Sequence, residues 1–229
     1  MKHIGIVGVS AEGAALCFRT ICAEGAEQFG PHMHPEVTMH VLPLAQYMVP
    51  IAAGDWAAVA AMMVESARKL ASCGADLLIC PDNTAHQAMD AVIANSPLPW
   101  LHIADEVGAV AAVRGFRRIG VLGTRYLMEG PVYPAHLAAR GIEHLIPDPP
   151  DRERINAIIF DDLVYGRFEQ PARAYFAGVI AKLQARGCDA VALACTEIPL
   201  LIEQPDSPLP ILDSTRILAR AALREAASD

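Results

Sequence analysis

The chain has 229 residues, 53% of them hydrophobic and 19% charged, with a formal net charge of −8. That is enough apolar residue for a large core in one large domain or two small ones. An acidic surface is a poor match for phosphate backbones, which argues against nucleic acid as a partner.

The chain opens on "HIGIVG" (3–8), an apolar run that meets glycines at once and is too short for a signal peptide's core or a membrane span. Short β-branched or apolar runs then recur: "EVTMHVL" (36–42), "DLLIC" (76–80), "PWLHI" (99–103), "RIGVLG" (118–123), "HLI" (144–146), "DAVALA" (189–194) and "LPILD" (209–213). Alanine-rich helical stretches separate them. Strand-then-helix alternation of this kind predicts an α/β fold with a mostly parallel sheet covered on both faces. Six cysteines (17, 22, 73, 80, 188 and 195) are too sparse for a disulfide framework and include no C-x-x-C pair. They read as reduced thiols of a cytoplasmic protein. "HMHP" (32–35) has His-x-His spacing with His40 beyond, but Pro31 and Pro35 bracket it as a loop, and no metal site is expected. Glycines 5, 8 and 13 do not make G-x-G-x-x-G, and there is no phosphate-binding G-x-x-x-x-G-K-[ST].

The alternation repeats at long range. "IGIVG" (4–8) matches "IGVLG" (119–123), an offset of 115. "KLASCGAD" (69–76) matches "KLQARGCD" (182–189), an offset of 113, and "SPLPWL" (96–101) matches "SPLPIL" (207–212), an offset of 111. Three matches in one order predict two homologous halves, roughly 1–116 and 117–229. The nearest linker candidate, "PDPPDRER" (147–154), lies inside the second half and is expected to be a loop.

At the central offset, Asp82 falls on Cys195, Asn83 on Thr196 and Thr84 on Glu197. Both clusters follow a predicted strand's carboxyl end and are expected to open a helix, where open α/β sheets bind ligands and helix starts offer free N–H groups. Two such halves facing each other would set Asp82 and Cys195 on opposite sides of one cleft. Asp82, Asn83 and Thr84 are also ordinary helix-cap residues. Cys80, by strand alternation, faces the same side as Asp82 from one step deeper. His86, one turn on, reads as a packed residue, and Thr124, after "VLG", as a further ligand donor.

With "NTAH" in the first half, "LHIAD" and "LGTRYLME" between, and "CTEIPLL" in the second, the whole chain resembles the aspartate/glutamate racemase superfamily, which also holds hydantoin racemases, maleate isomerases and arylmalonate decarboxylases. The resemblance implies two similar doubly wound parallel-sheet halves related by a pseudo-twofold axis, with the active site in the cleft between them. The expected domains are 1–102 with 213–229, and 103–212. The resemblance further implies a cofactor-independent, metal-independent amino-acid racemase or epimerase, cytoplasmic and homodimeric, acting on a small amino acid or dicarboxylate. In that family two cysteines flank the substrate's α-carbon. Position makes Cys195 the second-half base, the one facing the L enantiomer. Asp82 stands where the first cysteine is expected, so the α-proton would move between Cys195 and Asp82. Ser10, Asn83, Thr84, Thr124, Thr196, Glu197 and Arg167 are the expected substrate contacts. The family's side-chain-reading loop falls on "LPLAQYMVPIAAGDW" (42–56), where Leu44, Tyr47, Met48 and Ile51, with Gln46 as the one amide, predict a rather apolar pocket. Two alternatives stay open: a one-cysteine decarboxylase or isomerase of a small dicarboxylate, and a non-catalytic small-molecule-binding homologue.

Overall fold

The computed structural model describes residues 1–228. The chain runs β1 (Ile4–Gly8), α1 (Ala11–Phe29), β2 (Val37–Val41), α2 (Leu44–Ala53), α3 (Trp56–Ser72), β3 (Leu77–Ile79), α4 (Met89–Asn95) and α5 (Ile103–Val113). It continues through β4 (Arg118–Leu122), α6 (Arg125–Met128), α7 (Val132–Ala138), β5 (Glu143–Leu145), α8 (Pro149–Asp161), α9 (Gln170–Ala185), β6 (Ala190–Leu193), α10 (Ile198–Leu201), β7 (Ile211–Asp213) and α11 (Ser214–Ala227). Two compact units result: Met1–Ile103 with Thr215–Asp229, and Ala104–Ser214.

The first unit holds a parallel sheet in the order β2-β1-β3, the second a parallel sheet in the order β5-β4-β6-β7. The two orders correspond. Beside β3 the first unit has only an isolated bridge, Leu78 to Trp100, where the second has β7. "PWLHI", expected as a strand, is therefore one bridge followed by the start of α5. The reason is length: Leu78 bonds to Pro99 and Leu101, and the chain turns into a helix at Ile103.

The repeat extends to single hydrogen bonds. Ser96 accepts from the Leu98 N–H and donates to its carbonyl, at 3.2 and 2.8 Å; Ser207 does the same with Leu209, at 3.2 and 2.7 Å. Asp76 accepts from the His3 N–H at 2.7 Å, and Asp189 from those of Arg117 and Arg118 at 2.8 and 3.1 Å. Gly74 and Gly187 sit at φ of 90° and 88°, a left-handed turn that glycine makes at no steric cost.

The inner strands β1, β3, β4 and β6 are buried because helices cover them, while the edge strands β2 and β5 stay partly exposed. In the first unit Ile4, Ile6, Leu77 and Ile79 pack with Cys17 and Ile21 of α1 and with Leu218 and Ala222 of α11. In the second, Leu122, Val191 and Leu193 pack with Ile155 and Ile158 of α8 and Phe176, Ile180 and Leu183 of α9. The expected loop at 147–154 is in fact the start of α8. Its two prolines fall in the first turn, where a missing N–H costs nothing. Among the described residues no helix is long and apolar enough to cross a membrane, and no group of three His, Cys, Asp or Glu side chains stands in position to hold a metal ion.

Candidate active site

In the first unit the chain leaves β3 at Ile79 and passes through Cys80, Pro81 and Asp82 into a 3-10 turn, Thr84–Ala88, which leads into α4. The expected helix start is thus a tighter turn. Asp82, not Asn83 or Thr84, makes its capping bond: the Ala85 N–H donates to Asp82 Oδ1 at 2.8 Å. Asn83 sits at the cap position with helical φ and ψ and caps nothing. His86 ties the turn down. Its Nδ1 lies 2.8 Å from the Asp82 carbonyl, and its Nε2 accepts from the Ile103 N–H at 3.2 Å. An accepting Nε2 assigns the proton to Nδ1, so the neutral ring joins the Asp82 loop to the start of α5. His86 is 3% exposed and meets His102 edge to face, with ring centroids 4.6 Å apart.

β1 lies next to β3, so its carboxyl end brings Ser10 to the same sheet edge. Ser10 caps α1, accepting from the Gly13 N–H at 3.2 Å. Cys80 is fully buried behind Asp82. Burial first, and the neighbouring Asp82 second, push its thiol well above the ordinary range. Cys80 therefore keeps its proton and is a poor base. Asp82, half-buried, is the exposed acid of the pair. The stretch expected as an apolar reading loop is mostly the helix α2. Tyr47 and Ile51 are buried, Leu44 and Met48 are half-buried, and Gln46 is exposed.

In the second unit β6 ends at Leu193, and Ala194, Cys195, Thr196 and Glu197 follow before the four-residue α10. All four are buried, Cys195 at 7% and Glu197 at 3% exposure. Cys195 Sγ donates to Glu197 Oε2 at 3.0 Å, and Thr196 Oγ1 donates to the same oxygen at 3.0 Å. Glu197 Oε1 is buried and accepts no hydrogen bond. A helix this short supplies little dipole, and the ionisable neighbour in contact with the thiol is Glu197. The thiol and the carboxyl group thus share one short contact through which a proton can pass.

Thr124 comes to the same edge from β4, the neighbour of β6, and caps α6 by accepting from the Leu127 N–H at 3.2 Å. Gly123 makes room for this: a Cβ there would stand 2.7 Å from the Ala194 carbonyl oxygen. Arg167 lies in the loop between α8 and α9, with its side chain 54% exposed. Its guanidinium bonds to Asp162 at 3.2 Å and to the Asp161 carbonyl, and lies over the Tyr165 ring. The structure thus gathers Ser10, Asp82, Asn83 and Thr84 at one sheet edge, and Thr124, Cys195, Thr196 and Glu197 at the other. It ties Arg167 into its own loop. Sequence reasoning missed what His86 does, because its two partners, a local carbonyl and a distant N–H, leave no spacing signal.

The chain has relatives across its whole length. Residues 6–222 match the family model described as Asp/Glu/hydantoin racemase. A candidate Asp/Glu racemase from Yersinia pestis, 34% identical, superimposes with a TM-score of 0.89 over 100% of both chains. An aspartate racemase homologue from Pyrococcus horikoshii, 26% identical, does so with a TM-score of 0.85, again over 100% of both chains. The broad specificity amino-acid racemase RacX of Bacillus subtilis is 24% identical over 161 residues, 70% of this chain and 69% of RacX. With two corresponding sheets, the strand-end clusters on each, and a family match across nearly its full length, the chain belongs to the Asp/Glu/hydantoin racemase family.

Proposed function

We propose that the protein is a cofactor-independent amino-acid racemase or epimerase in which Cys195 and Asp82 serve opposite faces of one substrate α-carbon. The observation that carries this reading is the matched pair of strand ends. Under the internal repeat Cys195 and Asp82 occupy the same position, each just past the strand that neighbours the first strand of its sheet.

The hydrogen bonds support one resting state. Cys195 holds its proton and donates it to Glu197 Oε2, while Asp82 accepts an N–H as a carboxylate. From this state Asp82 removes the α-proton of one enantiomer, and Cys195 delivers its own proton to the other face. The products are the opposite enantiomer, an Asp82 carboxylic acid and a Cys195 thiolate; the reverse turnover restores both groups. The negative charge that moves onto the substrate's α-carboxylate between the two steps is met by donors from Asn83, Thr84 and Thr196. The proton passes between side chains only, so no organic cofactor enters. On the family's assignment of Cys195 to the L enantiomer, this resting state is the one ready for D substrates.

The test is α-proton exchange in D₂O, followed by NMR, with a panel of L- and D-amino acids. Exchange should occur with wild type and fall by more than about tenfold, roughly 1.4 kcal/mol of barrier, in Cys195→Ser. The thermal transition should be retained, because the change is one atom. Absence of exchange in wild type, or its survival in Cys195→Ser, would overturn the reading.

A further inference from the structure

The racemisation steps give His86 no part. Asp82 stands in the short connection between β3 and the five-residue 3-10 turn Thr84–Ala88. A turn of that length does little to hold itself, and Asn83 at its cap position makes no capping bond. Asp82 is held from the turn on both its side chain and its main chain. The Ala85 N–H donates to its Oδ1 at 2.8 Å, and His86 Nδ1 donates to its carbonyl at 2.8 Å. The other ring nitrogen, Nε2, accepts from the Ile103 N–H at 3.2 Å. Ile103 is the first residue of α5, so its N–H has no carbonyl partner within its own helix.

Both ring bonds need one state of the imidazole, with a proton on Nδ1 and none on Nε2. A proton on Nε2 would point a donor at the Ile103 N–H. The ring is 3% exposed and packed edge to face on His102, which leaves little water to replace either bond. Both partners are main-chain groups, and one belongs to the proposed base itself. The tie is a feature of the first unit. At the repeat's central offset His86 falls on Pro199, whose side chain has no hydrogen bond to give.

We propose, on the racemase reading above, that His86 is a positioning residue for Asp82: its neutral imidazole pins the Asp82 carbonyl to the start of α5 and so fixes where the Asp82 carboxylate stands. What freedom remains to the carboxylate is rotation of one short side chain, and the bond from the Ala85 N–H limits that rotation. A reacting group displaced by about 1 Å loses up to roughly a hundredfold in rate. A main-chain tie on the residue that carries the base therefore acts on the proton transfer itself.

The experiment compares wild type with His86→Asn and His86→Gln. An asparagine amide ends about where Nδ1 lies and can still donate to the Asp82 carbonyl. A glutamine amide ends about where Nε2 lies and can still accept from the Ile103 N–H. Each variant loses one bond of similar kind, so their thermal transitions should fall by similar amounts. The initial α-proton exchange rates in D₂O should separate them. His86→Gln should lower the rate of the enantiomer that Asp82 deprotonates by roughly tenfold or more, and the other enantiomer's much less. His86→Asn should keep the ratio of the two rates near that of wild type. Lost folded protein lowers both rates by one factor and leaves the ratio unmoved. Two further measurements need no turnover. Ring-nitrogen NMR of wild type should find the proton on Nδ1, and amide hydrogen exchange should show Ala85 losing protection in His86→Gln and Ile103 losing it in His86→Asn. If both variants change both enantiomers by one common factor, or change neither, His86 is a structural tie and the assignment is wrong. A ring proton found on Nε2 also overturns it. If wild type exchanges nothing, the racemase reading fails by itself. The amide measurement then decides whether His86 fixes the Asp82 turn: loss at Ala85 confined to His86→Gln supports it, and equal or absent loss overturns it.

Discussion

Cys195 and Asp82 differ as acids and bases, and this sets the first expectation. A thiol ordinarily loses its proton near pH 8.5 and an aspartic acid near 3.9, an order that favours a Cys195 thiol beside an Asp82 carboxylate. The two enantiomers should therefore exchange at clearly unequal rates. Asp82→Asn keeps an oxygen to accept the Ala85 N–H, so stability should hold, while exchange falls on the face Asp82 serves. Asp82→Cys should bring the L and D rates closer together, by matching the pair. Initial exchange rates for both enantiomers in the three proteins check this. Equal rates in wild type, unmoved in Asp82→Asn, would leave Asp82 as a cap alone. In the sequence Asp82 read equally as base or cap. The structure shows the cap bond, and a carboxylate oxygen accepting an N–H remains available to chemistry through its second oxygen's lone pairs.

Two expectations belong to the elements. Gly123 lies where β4 gives way to α6, and a Cβ there would stand 2.7 Å from the Ala194 carbonyl oxygen and 2.6 Å from Leu127 Cδ2. Backbone cannot swing aside as a side-chain tip can. Gly123→Ala should cost about 1–3 kcal/mol of stability and, by moving Ala194, displace Cys195 and lower exchange more than any change in folded fraction explains. Thermal unfolding and exchange on the same samples separate the two effects. The second concerns α8 and α9. Asp151 accepts from Lys182 Nζ at 2.8 Å and from Tyr175 Oη at 2.7 Å. Burial raises its pKa, but those two hydrogen bonds and the lysine's charge outweigh it, and the net shift is downward. A lowered folded pKa means a stabilisation fully present above the unfolded value of about 3.9 and lost as pH falls through the lower, folded one. Asp151→Asn should therefore lower the melting temperature near pH 7, with the difference from wild type shrinking below about pH 4. A difference that stays constant down to acid pH would show that the pairing contributes nothing. At this scale the sequence was partly legible. Leu44, Tyr47, Met48 and Ile51 stand at i, i+3, i+4 and i+7, the helical signature, yet Pro43 and Pro50 disguised α2 as a loop. At 147–154, prolines again suggested a loop where they occupy the first turn of a helix.

At the scale of the molecule, the repeated carboxylates offer a test of how separately the two units hold together. Asp189 accepts two N–H groups at the entry to β4, and Asp76 accepts one at the entry to β1. Asp189→Ala should cost roughly 1–3 kcal/mol and Asp76→Ala less, at about 1 kcal/mol per bond. Amide hydrogen exchange should show lost protection within 104–214 for the first and within 1–103 and 215–229 for the second. Loss spread evenly over the chain in both variants would show one cooperative unit instead.

The sequence by itself determined the fold class, the repeat of two halves and the place of both polar clusters at strand ends. These rest on short-range periodicity and on segment matches, which are properties of the chain as written. Only the tertiary structure decided which side chains the reactive groups meet. Cys195 meets Glu197 two residues away, but the contact depends on how α10 turns, and spacing alone does not say so. His86 reaches Ile103, seventeen residues on, and Tyr47 stands beside Cys80 and Asp82 from a different helix. Such contacts are made by packing between elements distant in sequence. Burial at those contacts decides which groups stay neutral, because the cost of an unpaired or charged group depends on the water removed around it.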